Sequence, residues 1–306
     1  MARPGSGDKG TVVSPVSPST ARRTHLSAET IHGMIYFSPH AGAAYAEVGI
    51  TDQRMGYFAS RSAAMGPVAP EVTIATFFNF HPRAVTRVIP QAWTIASPES
   101  ILQARFEAAD RTLRQAWEDG VGGPEVREAA SLARSAAERA AGRPEGRPLF
   151  AAHASLPWPD EAHLVLWHAQ TLLREYRGDG HVGLLMTEGL DGVEALIVHA
   201  ATGAVSAPTL QAMREWTDEE WADGIARVQS RGWLEPGTDL TLSSTGREHR
   251  RSLEDRTDRL ATFPYEAIGE EGCERLRLLS IPLSKAIIAG DVGFPPALAA
   301  RLSAAQ

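Results

Sequence analysis

The chain has 306 residues, 43% of them hydrophobic, enough to bury a sizeable core in one large helical unit or in two domains. Its 30 basic and 37 acidic side chains leave a net charge of -7, which opposes nucleic-acid binding driven by broad phosphate contact. One cysteine, Cys273, excludes an intramolecular disulfide framework and a cysteine-built zinc cage, and fits a reducing, cytoplasmic setting.

Residues 1–26 are rich in Pro, Ser, Gly, Thr and Arg and lack an apolar run, the composition of a disordered tail rather than a signal peptide. Helical periodicity begins at Ser27 and defines an N-terminal helical domain over residues 27–142. Within it, Ala-rich amphipathic segments cover residues 98–117 and 124–141, opened by Ser97-Pro98 and Gly123-Pro124 in the manner of helix starts. The run from Gly142 to Pro148 breaks the second helix and marks the boundary with a C-terminal helical domain, residues 147–306. Further breaks follow at Leu156-Pro157-Trp158-Pro159-Asp160 and at Glu188-Gly189-Leu190-Asp191-Gly192. Thr217 opens a helix that reaches Arg231-Gly232-Trp233, and Leu234 to Leu242 reads as a short β-hairpin before a charged helix from Thr245. The expected fold is therefore mainly α. No stretch is long and uncharged enough to span a bilayer.

The segment from Trp167 to His181 places two His, two Arg, one Glu and one Asp in an otherwise apolar helical region. Burying such charges costs several kcal/mol unless they are paired, so they form either a site or an interior ion-pair network. On a helix at about 100° per residue, Val165, Leu166, Ala169, Leu172, Leu173 and Tyr176 share an apolar arc, with His168 and Glu175 about 20° apart at its edge. Gly178 and Gly180 read as a helix break that delivers Asp179 and His181 toward the same space. His181, Asp179, Glu175 and His168 are thus candidate acid/base groups, while Arg174 and Arg177 are suited to gripping an anion.

Two aromatic stretches, Met55 to Arg61 and Thr76 to Pro82, carry the polar groups Arg61, Asn79 and His81, which could orient a ligand in an aromatic pocket; core packing is the plainer explanation. Glu29 and His32 lie three apart on one helix face with Tyr36 a turn further on. That pair more simply makes a surface contact, and no His spacing matches a metal motif, so His32 and Tyr36 are assigned to ligand binding and no metal is assigned. The chain has no glycine-rich phosphate loop, Gly-x-Ser-x-Gly elbow, His-Glu-x-x-His or dinucleotide fingerprint.

The order helix, Arg231-Gly232-Trp233-Leu234, hairpin with Leu242-Ser243-Ser244-Thr245-Gly246-Arg247, helix, over residues 208–262, resembles the winged helix of MarR-type bacterial regulators. Tyr36-Phe37-Ser38-Pro39, Gly56 to Arg61, Phe77 to Pro82 and above all Leu173 to His181 resemble a family of actinobacterial winged-helix-like proteins across residues 27–290. That resemblance implies a winged-helix scaffold, with tandem winged helices as one arrangement of it, and carries no assigned activity or cofactor. Thr30 stands where the family pattern has proline, and His153 where it has asparagine.

The leading expectation is a small-molecule-binding protein on this scaffold, either a binder or a nucleotide-cofactor-independent acid/base enzyme of actinobacterial specialised metabolism with His181 oriented by Asp179 or Glu175. The alternative is a MarR-like, ligand-responsive transcriptional regulator that binds DNA. It ranks second because the helix after Thr217 opens with Asp218, Glu219 and Glu220, which repel phosphates. The residues name neither a cofactor nor an oligomeric state.

Overall fold

The structure, a computed structural model, describes residues 15–295 apart from residue 238, and among the described residues it is mainly helical with no strand. A small polar cap followed by proline opens helix after helix, because proline fixes the first helical φ where no amide donor is needed. The Ser17 hydroxyl accepts from the Thr20 amide at 3.1 Å and opens α1 (Pro18–Gly33); Ser38 opens α2 (Pro39–Glu47) and Asp52 opens α3 (Gln53–Ser62). Three short helices follow, α4 (Pro70–Phe77), α5 (Pro82–Thr86) and α6 (Gln91–Ile95). The long α7 (Pro98–Trp117) and α8 (Pro124–Ala140) start where Ser97-Pro98 and Gly123-Pro124 indicate. After α9 (Pro148–Ala154) come α10 (Ala162–Thr187), α11 (Gly192–Ala200), α12 (Ala207–Arg214), α13 (Asp218–Ser230), α14 (Ser244–Leu260) and α15 (Gly269–Ala289).

Four expectations change. Residues 18–26 are not tail but the first half of α1, whose Ser-Pro start carries the same signal as Ser97-Pro98; residues 1–14 lie outside the described residues. Helix α10 does not stop at Gly178 and Gly180. It runs on to Thr187, because packing against α8, α9 and α14 outweighs the helix cost of about 1 kcal/mol per glycine. The β-hairpin wing is absent: Leu234 and Leu242 form a single antiparallel bridge, and with no strand among the described residues no second wing is built either. Finally, the core does not divide at residues 142–147.

One apolar cluster joins α1, α2, α3, α7, α8 and α9 to the first part of α10 and to α15, with Ile31, Phe58, Leu113, Phe150 and Trp167 at its centre. A second cluster collects Leu185 from the end of α10, Val193 and Ile197 of α11, Leu210 of α12, Trp221 and Val228 of α13, and Leu253 of α14. The division passes through α10, whose first part belongs to one cluster and whose end belongs to the other. Gly192 lets α11 touch the segment after α4, since a Cβ there would overlap the Phe78 carbonyl oxygen. Gly246 does the same for α14, whose first turn lies on the Trp233 carbonyl.

Candidate functional site

Two cavities open where the clusters meet. The smaller, about 340 Å³, is polar and is lined by α1, α3, the α4–α5 segment, α10, α12 and α14. The larger, about 790 Å³, is chiefly apolar and lies between the end of α10, α11 and α12. Phe77, Asn79, His181, Val182 and Arg214 line both, so these residues form a common wall, or neck.

Charge on the polar side is paired within the chain. Glu175, 3% exposed, receives Arg61 Nη2 at 2.9 Å on one oxygen and Arg174 Nη1 at 2.9 Å on the other. Burial alone would raise the Glu175 carboxyl, yet the guanidiniums of Arg174 and Arg61 hold it well below the usual carboxylate range. Arg61 also donates to the Tyr57 hydroxyl at 2.9 Å, and its carbonyl accepts from His153 Nε2 at 3.1 Å. Thus His153 supports the Arg61 backbone from behind, and neither it nor Thr30 lines a cavity. Arg177 binds Asp258 at 2.7 Å and Glu254 at 3.4 Å, clamping α10 to α14. Glu29 meets His25 at 3.5 Å rather than His32; burial raises the Glu29 carboxyl and lowers His25 to about 3.

On the unbroken helix Asp179 sits about one turn beyond Glu175 and His181 about one and two-thirds turns beyond it. Asp179 accepts the Phe150 amide at 2.9 Å and so anchors the start of α9. Burial lifts its carboxyl to about 6, with that amide bond opposing the rise. Thr257 donates its hydroxyl to the Leu253 carbonyl at 2.8 Å, so at 2.9 Å it must accept from His181 Nδ1–H. That bond fixes the tautomer and leaves Nε2 with its lone pair. Burial lowers His181 to about 4, so the ring is neutral near neutral pH.

Arg214 differs from the other arginines of the site. Its Nε donates to Asn79 Oδ1 at 3.2 Å, its guanidinium lies 4.2 Å from the centroid of the Phe80 ring, and its carbonyl accepts from the His81 amide at 2.9 Å. Among the described residues no carboxylate lies within ion-pair distance of it. Burial lowers its pKa, as expected for a desolvated cation without a counter-ion.

Of the candidates from sequence, His181, Asp179, Glu175, Arg174, Arg177, Arg61 and Asn79 line the polar cavity, whereas His168, His81, His32 and Tyr36 line neither cavity. His168 points into the core against Trp158 and Phe106, with ring centroids 4.9 and 5.7 Å away, and burial lowers it to about 3; it shares no cavity with Glu175. His81 takes the Arg83 amide on Nδ1 at 3.1 Å and donates from Nε2 to Glu220 at 2.8 Å, tying the α4–α5 segment to α13. His32 is wholly buried between Thr171 and Tyr36, at 3.0 and 2.9 Å. The sequence reading missed His25, Arg214, Glu254 and Thr257, while Tyr57 lies in the aromatic stretch it singled out. Of these, His25 carried a signal in the Ser17-Pro18 helix start; the others are brought in from distant elements.

A sequence profile described as a helix-turn-helix family matches residues 21–294, and the chain belongs to that family. No curated protein and no solved structure matches it. The MarR-like reading of the sequence puts a DNA-contacting helix after Thr217, which is where α13 lies. No helix among the described residues is long and apolar enough to cross a membrane.

Proposed function

We propose that this helix-turn-helix family member binds a small molecule that lies across the polar and the apolar cavity. The observation that carries this reading is the shared wall: five residues line both spaces, so one elongated ligand can occupy the two together. A mainly apolar space with a few converging polar groups is the usual make-up of a ligand site. His181 is the group able to take a proton there, because Thr257 fixes its tautomer and burial keeps it neutral.

The test is saturable uptake of the neutral dye N-phenyl-1-naphthylamine, followed by fluorescence. Binding at one site per chain is expected, and Ala195→Phe, which places a ring in the larger cavity, should abolish it with the helical circular dichroism unchanged. Absence of uptake, or uptake indifferent to Ala195→Phe, removes the reading.

Family membership favours a second reading, a DNA-binding regulator. The exposed positions of α13 are Asp218, Glu219, Ala222, Asp223, Ala226, Arg227 and Ser230, of which three are acidic and one basic, and Arg227 is held by Asp191 at 2.8 Å. Its first turn is also tied to the chain's own His81 through Glu220. These charges oppose a phosphate backbone, so ligand binding ranks first. Tight association with random duplex DNA, weakening steeply along a salt series, would reverse that order.

A further inference from the structure

Building on the ligand-binding reading, we infer that the ligand is an amphipathic organic acid whose single anionic headgroup pairs with Arg214 at the neck while its apolar body fills the larger cavity. The argument rests on which positive charges are still available. Arg61 and Arg174 share Glu175 at 2.9 Å each, and Arg177 is held by Asp258 at 2.7 Å. None of these can take a ligand anion without giving up a buried partner, which would leave a carboxylate uncompensated. Arg250, which lines the larger cavity, is held by Glu254, so Arg214 alone among the cavity-lining arginines has no carboxylate partner among the described residues, and it lines both spaces.

Its geometry is that of a prepared receptor. Asn79 holds Nε at 3.2 Å and Phe80 lies under the guanidinium at 4.2 Å, so the side chain is fixed before a ligand arrives. With Nε occupied by Asn79, the terminal nitrogens remain to donate to a carboxylate-like group in the paired geometry that arginine favours. The partner must be a monoanion. Glu29, Glu175, Asp179 and Glu254 also line the polar cavity and would repel the further charges of a nucleotide or a diphosphate. Beyond the neck the lining is chiefly apolar, with Leu185, Leu190, Leu196, Val198, Leu210 and Leu253 outweighing His199, Ser206, Thr209 and Arg250, which suits a hydrocarbon or aromatic body.

Two dyes with the same body separate this inference from the reading on which it rests. 8-Anilinonaphthalene-1-sulfonate and N-phenyl-1-naphthylamine differ by one sulfonate. The protein should bind the sulfonate at least about tenfold more tightly, a preference that weakens with salt, and Arg214→Met should bring the ratio to about one while leaving the neutral dye bound. Arg214→Lys should retain part of the preference. Dodecanoate should displace the sulfonate dye from the unmodified protein at lower concentration than dodecanol, an arm that needs no variant. Equal affinity for the two dyes, a ratio unmoved by Arg214→Met, or equal displacement by acid and alcohol overturns the headgroup inference alone. If neither dye binds, the ligand-binding reading fails and this one with it.

Discussion

The polar cavity and the neck that leads out of it both contain buried arginine, but they differ in what completes them. In the cavity each guanidinium from α3 and α10 already has a carboxylate from the chain, so the charges tie α3, α10 and α14 together and need nothing from outside. At the neck, Arg214 has an amide and an aromatic ring but, among the described residues, no counter-ion. The difference separates two uses of buried charge. Where partners are present, charge acts as structure; where one is missing, it is the group we assign to the ligand.

The comparison breaks most sharply at Glu175. Replacing it by Gln leaves the buried Arg61 and the half-buried Arg174 without their shared partner, and should lower unfolding stability by about 3 kcal/mol in urea denaturation, whereas Arg214→Met should change it far less. Equal losses from the two variants would mean that Arg214 is structural as well. Next in size is Gly246→Ala: a Cβ overlapping the Trp233 carbonyl must push α14 away from the bridge region, at a cost of about 1–3 kcal/mol, visible as a lower thermal midpoint.

Acid sharpens the comparison in a different way. His25 and His168 are lowered to about 3, and His153 and His181 to about 4, so between pH 6.5 and 4 the unfolded chain binds more protons than the folded one. Their contribution is present above about pH 6.5 and is lost as the pH falls toward 4. Asp179, raised to about 6, acts in the opposite sense: its contribution is present below its ordinary carboxylate range and is lost as the pH rises through 6. Urea midpoints should therefore fall from pH 7 to pH 4, less steeply in His181→Gln and more steeply in Asp179→Asn. A flat profile in the unmodified protein would contradict the burial of these rings. The smallest effect belongs to Gly183→Ala within α10, where a Cβ meets nothing within 4 Å; the helix should gain about 0.5–1 kcal/mol with dye binding unaltered.

Helix starts were the most legible part of the sequence, because Ser-Pro and Gly-Pro carry a local mechanism; α7 and α8 begin where those pairs indicate. The charged stretch of α10 was also visible, since its residues are close in sequence. What stayed hidden depends on neighbours far along the chain. Gly178 and Gly180 signal a stop that tertiary contact overrides. Helical projection puts His168 at the edge of an apolar arc, but only the folded chain shows Trp158 and Phe106 facing it. Arg214 gives no local signal at all. Its meaning arises from Asn79 and Phe80, well over a hundred residues earlier, and from the absence of a carboxylate nearby.

The common wall has a consequence for how specificity can drift. In the proposed site charge is read by Arg214 and Asn79, whereas the space beyond is shaped mainly by α11 and α12 through side chains such as Ala195, Val198, Thr209 and Met213. Ala195 and Val198 belong to α11, a different helix from the one that ends in Arg214, so their bulk can change without disturbing the guanidinium. On the proposed reading, exchanging a few α11 side chains would admit longer, shorter or more branched molecules with the chemistry of the grip kept intact.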